Sequence, residues 1–208
     1  MKFRLSAIVF LMLIPGLLFA AEFSENVEYK RIQPQKTASG DKIVVLEFFW
    51  YGCPHCYTFD AYIKRWKKNK PDNVEFTLVP APLNPQWAVH TRAYYALELM
   101  GEIEKVHGPM FEAIHKKKQR LTDMASIADF VATLGVDKQQ FLDTAKSFAV
   151  AGKIRKAEQL VHAYRLDGVP ALAVNGKYMT GPYMAGNPQR AIDVLNYLID
   201  KETKDQGQ

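Results

Sequence analysis

The chain has 208 residues, 48% of them hydrophobic and 24% charged, which suits one soluble globular domain, alone or carrying an insertion; no repeat or low-complexity tract interrupts it. Its formal net charge is +5, with much of the basic excess in Lys64-Arg65-Trp66-Lys67-Lys68 and Lys116-Lys117-Lys118. Such runs on helices are ordinarily solvated faces, so nucleic acid is not an expected partner. The chain holds 2 cysteines, and both lie in the window Cys53-Pro54-His55-Cys56. That leaves no thiol for a bridge elsewhere, a third thiolate ligand or a second redox centre.

The first residues have the layout of a secretory signal peptide. Lys2 and Arg4 give a basic start, Leu5 to Phe19 is almost wholly apolar with Pro15-Gly16 inside it, and Ala20-Ala21 precedes the polar Glu22. Residues 1–20 are therefore expected to be removed, with cleavage after Ala20 or Ala21. An uncleaved anchor is the alternative, disfavoured because the apolar core is shorter than the roughly 20 residues a helical span needs. No cysteine follows that core as a lipid attachment site, and no later segment is apolar enough to cross a bilayer. Export alters the meaning of the cysteines, since an oxidising compartment lets disulfides persist. A bridge closing only two intervening residues constrains the unfolded chain little, so the spacing favours redox chemistry over architecture.

Ile43 to Trp50 is a continuous β-branched and aromatic run, expected as a strand covered on both faces. Tyr51-Gly52 turns the chain, and Phe59, Ile63 and Trp66 then recur at helical spacing with Cys56 on the same buried face. Pro54 suits the first helical turn, where a missing N–H is not felt. Asn73 to Val79 is a second strand, completing a βαβ unit with the sulfur pair at the strand-to-helix junction. After the Pro-rich Pro80 to Pro85, the pattern is helical from Gln86 to about Phe148. Gly101, Gly108-Pro109, Leu121-Thr122-Asp123 and Gly135 punctuate it into about four helices, with Thr122 or Asp123 and then Asp137 as caps. A further helix is expected from about Ala151 to Arg165. Val169 to Val174, the hairpin pair Asn175-Gly176 and Lys177-Tyr178-Met179 return to sheet. A last helix spans about Pro188 to Thr203. The order predicts an α/β protein with residues 22–84 and 150–205 in one domain and 85–149 as an inserted all-helical domain.

Cys53 falls at a helix N-terminus, where unsatisfied N–H groups and the positive dipole end favour a thiolate. His55 adds a donor or a positive charge beside it. A thiol of lowered pKa stabilises the dithiol form and makes the disulfide a strong oxidant. Cys53 is thus expected to be the exposed sulfur that a substrate thiolate attacks, and Cys56, one turn on and inward, the one that leaves or resolves. Glu47 interrupts the apolar strand at a cost unless solvated or used. Strand geometry puts it below the sulfur pair, able to take the proton from Cys56, or else at a strand end reaching solvent. Asp60, one turn beyond Cys56, reads equally as a solvated helix carboxylate. His90, His107, His115 and His162 show no spacing that gathers them. Trp50, Tyr51 and Tyr57 line a groove for unfolded chains or belong to the core.

These stretches carry a resemblance. Phe48-Phe49, Cys53-Pro54-His55-Cys56-Tyr57, Gly168-Val169-Pro170-Ala171 and Val174-Asn175-Gly176-Lys177-Tyr178 resemble the DsbA family of bacterial periplasmic thiol:disulfide oxidoreductases, over essentially the whole mature chain. The resemblance implies a thioredoxin-like fold with an inserted helical domain. It implies oxidation of reduced, unfolded exported polypeptides in the periplasm and reoxidation by a membrane quinone-linked partner of the DsbB kind. The family has an acid matching Glu47 and a second acid matching Asp60, here one methylene shorter. It also places a cis proline opposite the sulfur pair. That implies a cis Val169-Pro170 bond presenting the Val169 backbone to an extended substrate, with Pro54 also at the substrate surface. No cofactor and no metal are expected.

Three rival readings remain. A disulfide isomerase or reductase shares the chemistry, but isomerases of this fold usually add a dimerisation domain, and only about twenty residues of the mature chain precede the first strand. A monomer is the default. A periplasmic metallochaperone would use the two thiolates and His55, although zinc wants four ligands. Tyr57 in place of histidine argues against covalent haem attachment. A silent peptide-binding chaperone would use the groove alone.

Overall fold

The structure, a computed structural model, describes residues 23–37 and 40–206. Residues 1–20, expected to be a signal peptide, lie outside the described residues. A five-stranded sheet runs in the order β1-β5-β4-β2-β3, formed by β1 (Tyr29–Arg31), β2 (Ile43–Phe49), β3 (Val74–Pro80), β4 (Ala171–Val174) and β5 (Tyr178–Thr180). The parallel pair is β2 with β3, joined through α1 (Pro54–Asn69); β4 pairs antiparallel with both β2 and β5, and β1 pairs antiparallel with β5. Between β3 and β4 stand α2 (Pro85–Leu99), α3 (Ile103–His115), α4 (Met124–Thr133), α5 (Lys138–Ala145) and α6 (Phe148–Ala163). After β5 come the short α7 (Pro182–Ala185) and α8 (Pro188–Gln206).

Strand β2 is buried along its whole length, because each of its faces has its own cover. Ile43 and Val45 point to one side and pack with Phe59, Ile63 and Trp66 of α1 and with Val194, Leu195 and Leu198 of α8. Val44, Leu46 and Phe48 point to the other, into a larger core shared with α2 to α6. This is the period-two alternation of a strand used twice over. The same alternation sends Glu47 to the α1 side, flanked in the sheet by Leu78 of β3 and Leu172 of β4.

The expected strands and helices appear close to their predicted bounds. Asp123 caps α4 in a full capping box with Ser126, and Asp137 caps α5. Two expectations need correction. Gly108-Pro109 does not break a helix: both residues lie inside α3, where burial of Val106, His107, Met110, Phe111 and Ala113 outweighs the hydrogen bond that Pro109 removes. The sequence pattern also missed β1 and α7, which are three and four residues long and too short to show a period.

Candidate active site

Cys53 is the N-cap of α1 and Pro54 its first helical residue. The cap is a sulfur: Cys53 Sγ accepts from the backbone N–H of Cys56 at 3.3 Å. On its other side the Cys53 thiol donates to the backbone carbonyl of Val169 at 3.4 Å. The Val169-Pro170 peptide bond is cis, and the hydrogen bond to Val169 puts the loop before β4 against the Cys53 sulfur. Both cysteines are free thiols. Cys53 is less open than the sequence suggested, at 7% exposure against 1% for Cys56, because the Val169 loop covers it; the order of accessibility is as expected.

The two thiols are driven apart. Cys53 is lowered to about 6, first by hydrogen bonding from the Cys56 thiol and then by the N–H groups of Cys56 and His55 and the nearby His55 charge; these outweigh its burial. Cys56 is pushed far up, chiefly by burial, then by the hydrogen bond and charge of Cys53, with the Glu47 charge adding to it. One sulfur therefore gives up its proton, and with it the thiol bond to Val169, readily, while the other keeps its own. His55 itself is exposed, beside the pair.

Glu47 does not reach solvent: it is 3% exposed, and burial with repulsion from Asp60 pushes its carboxyl up to about 8, with Lys67 working against them. At pH 7 such a group is about one-tenth ionised, so it holds a proton that it is able to give or retake. Asp60 is not simply a solvated helix carboxylate. It is half-buried, ion-paired with Lys64 at 2.7 Å and 3.5 Å from His107 Nε2. Burial would raise its carboxyl, yet His107 and Lys64 together hold it below the ordinary carboxylate range.

The histidines were expected to stand apart, and three of the four do not. His107, Phe111 and His115 recur four residues apart on α3 and form one stripe against the motif. His107 Nδ1 meets the Tyr51 hydroxyl at 2.9 Å, and His115 Nε2 donates to the Tyr51 carbonyl at 2.7 Å while its ring stacks on Tyr57 with centroids 5.1 Å apart. His90 packs edge-on against Tyr51 and bonds the Leu121 carbonyl at 2.6 Å. His162 is exposed and joins none of this. The i, i+4, i+8 spacing was readable, but which face of α3 meets the motif depends on a tertiary contact. Tyr51 is wholly buried core. Trp50 is half-buried and stacks on Trp87, with centroids 4.5 Å apart and planes 9° from parallel. Its ring crosses Gly52, where an added Cβ would come within 2.3 Å of it.

Beyond Cys53, a groove of about 560 Å³ opens between the cis-proline loop and the β5–α7 turn, lined by His55, Val169, Pro170, Met179, Tyr183 and Met184 among others. Tyr183 is fully exposed at its rim. Among the described residues, no group of three or more His, Cys, Asp or Glu side chains is placed to hold a metal ion.

A reactive thiolate at a helix N-cap, a buried partner thiol and a cis proline across from them on a thioredoxin-like sheet define a disulfide oxidoreductase. The chain belongs to the DsbA family: the DSBA-like thioredoxin domain matches residues 86–199. It is 42% identical to the thiol:disulfide interchange protein DsbA of Pseudomonas aeruginosa, over 88% of this chain and 87% of that protein. It is 47% identical to the protein of the same name from Pseudomonas syringae, over 77% and 75%. The crystal structure of Pseudomonas aeruginosa DsbA superposes with a TM-score of 0.87 at 40% identity, covering 91% of this chain and 99% of that one. DsbA from Xylella fastidiosa gives 0.78 at 32% identity, over 84% and 95%.

Proposed function

We propose that this protein oxidises the thiols of reduced, unfolded exported polypeptides in the periplasm by passing on a Cys53–Cys56 disulfide. A substrate thiolate attacks Cys53 Sγ, the Cys53–Cys56 bond breaks, and Cys56 leaves as a thiolate that is protonated. A second substrate thiolate then attacks the substrate sulfur of the mixed disulfide. The substrate disulfide forms, Cys53 leaves as a thiolate, and two electrons have passed to the pair. The observation that carries this reading is the opposed environment of the two sulfurs, since a stabilised Cys53 thiolate favours the dithiol product.

The other roles follow from position. His55 tunes Cys53 electrostatically. Glu47, the buried acid on the α1 face, gives a proton to the departing Cys56 and takes it back when Cys56 next attacks. Val169 offers its backbone, and Pro170 and Pro54 flank the sulfur, so an extended chain entering the groove meets Cys53 with little demand on its side chains. The apolar lining and exposed Tyr183 suit unfolded polypeptide. A DsbB-like, quinone-linked membrane partner restores the disulfide. Residues 1–20 serve as the signal peptide, the mature chain acts as a monomer, and residues 85–149 form an inserted domain between the two parts, 22–84 and 150–205, of the thioredoxin-like one.

The test is the redox equilibrium of the purified protein with glutathione, combined with its oxidation of a reduced, unfolded model protein. An oxidant more easily reduced than the glutathione couple, active in stoichiometric oxidation, is expected. A pair more reducing than glutathione would replace the oxidase reading with a reductase.

A further inference from the structure

The proton that Glu47 exchanges with Cys56 must reach water, yet Glu47 is sealed between Leu78, Leu172 and α1. On the α1 side, a cleft of about 190 Å³ with charged side chains among its lining lies next to this strand position. Its lining includes Leu78, the β3 partner of Glu47, together with Asp60, Lys64, Lys67, Glu104 and His107. His107 sits at the junction. Although buried, it uses both ring nitrogens, Nε2 toward the Asp60 carboxylate at 3.5 Å and Nδ1 toward the Tyr51 hydroxyl at 2.9 Å. With Nε2–H turned to Asp60, Nδ1 accepts from the hydroxyl, and the ring orientation is fixed at both ends. A ring held this way positions Asp60 as a carboxylate, much as second-layer partners orient the ligands of a metal.

We propose that His107 is a positioning residue of the redox reaction: it fixes the Asp60 carboxylate at the mouth of the cleft through which Glu47 exchanges its proton with solvent. This deepens, and rests on, the reading of Glu47 as the proton partner of Cys56. The charged and titratable groups facing this region are Asp60, Lys64, Lys67 and Cys56 of α1, Tyr51 from the turn before it, Tyr94 of α2, and His107 and Glu104 of α3. Asp60 and Lys67 act on Glu47 with opposite signs, and Lys64 and His107 are the two partners of Asp60. Removing His107 takes the Nε2–H away from Asp60, which stays ionised through Lys64 but is screened by one donor fewer, so its repulsion of a Glu47 carboxylate grows.

A double-mutant cycle on the full mature chain tests this, read by the carboxyl-carbon NMR titration of Glu47. Asp60→Asn should lower the Glu47 midpoint by about one pH unit, because it removes a like charge. His107→Phe, which keeps a ring but has no donor, should raise it by about half a pH unit when Asp60 is present and leave it unchanged in the Asp60→Asn background. An unmoved midpoint in His107→Phe, or the same shift in both backgrounds, overturns the proposal; the second result would mean that His107 acts through Tyr51 and the fold. Should His107→Phe fail to fold, His107→Leu enters the same cycle with the same expected pattern. The underlying reading fails separately: if Glu47→Gln resolves mixed disulfides at the full rate, Glu47 is not the proton partner, whether or not the coupling to His107 is present.

Discussion

The mouth and the floor of the site handle the same sulfur chemistry in opposite ways. At the mouth, Cys53 receives a thiol donor and the N–H groups of a helix end, and it loses its proton easily. On the floor, Cys56 and Glu47 are walled in by sheet and helix, and both keep their protons well above the usual range. The two environments lie within one helical turn of each other. The sheet makes this possible: the loop at Val169 and the first turn of α1 form a polar rim, while the residue alternation of β2 aims Glu47 beneath α1, among the side chains that seal it. A redox pair of two equivalent thiols would have no preferred point of attack, and the difference between mouth and floor supplies one.

The largest effect expected is total. Cys53→Ser should abolish oxidation of a reduced model protein, whereas Cys56→Ser, offered a disulfide-bonded model protein, should attack it through Cys53, release one of its sulfurs as a thiolate, and accumulate mixed disulfides visible on non-reducing gels. Equal behaviour of the two variants would erase the distinction between mouth and floor. Next, Glu47→Gln should slow resolution by roughly 100-fold, the lower end of what a positioned proton donor contributes.

Glu47 and Cys53 should also imprint opposite pH dependences on stability. The folded state holds the Glu47 proton up to about 8 while the unfolded chain releases it near the ordinary glutamate value of 4.5, so the folded form binds more protons between these limits and is destabilised as pH rises through them. Denaturant titrations should show this fall flattened in Glu47→Gln, with a gain of roughly 2–4 kcal/mol at pH 8. For Cys53 the folded thiol ionises near 6 and the unfolded one near 9, so the unfolded dithiol chain binds more protons and stability rises with pH across that window, to be lost as pH falls through 6. That rise should vanish in Cys53→Ser.

Smaller effects probe the supports. Gly52→Ala must displace the Trp50 ring from its stack on Trp87 and should cost about 1–3 kcal/mol in unfolding experiments. His55→Ala should raise the Cys53 thiol by only about half a pH unit, since the charge of His55 ranks behind hydrogen bonding to Cys56 as a cause.

What was readable from the sequence followed from local rules. The apolar run of β2, Pro54 at the helix start, the Asp123 and Asp137 caps and the Asn175-Gly176 hairpin each carry a short-range signal, and together they outlined the fold and located both sulfurs. Glu47 announced itself as a charge in a strand with no polar alternation. The parts that were missed depend on contacts between distant segments. β1 exists because β5 pairs with it, and Asp60 gains a second partner besides Lys64 because α3 brings His107 against it. The stripe His107, Phe111, His115 has a plain helical period, but a period does not say which partner the face will meet. Cys53 is more covered than a helix N-terminus suggests because the Val169 loop, 116 residues away in sequence, closes over it.

The central claim is that the fold separates the two thiols. The direct measurement is the thiolate ultraviolet absorbance of the dithiol form titrated from acid to alkaline pH, in the wild type and in Cys56→Ser. The account predicts that one thiolate appears near pH 6, that it belongs to Cys53, and that the second sulfur stays protonated past the ordinary thiol range. Two thiolates appearing together near the ordinary thiol value of 9.0 would contradict it.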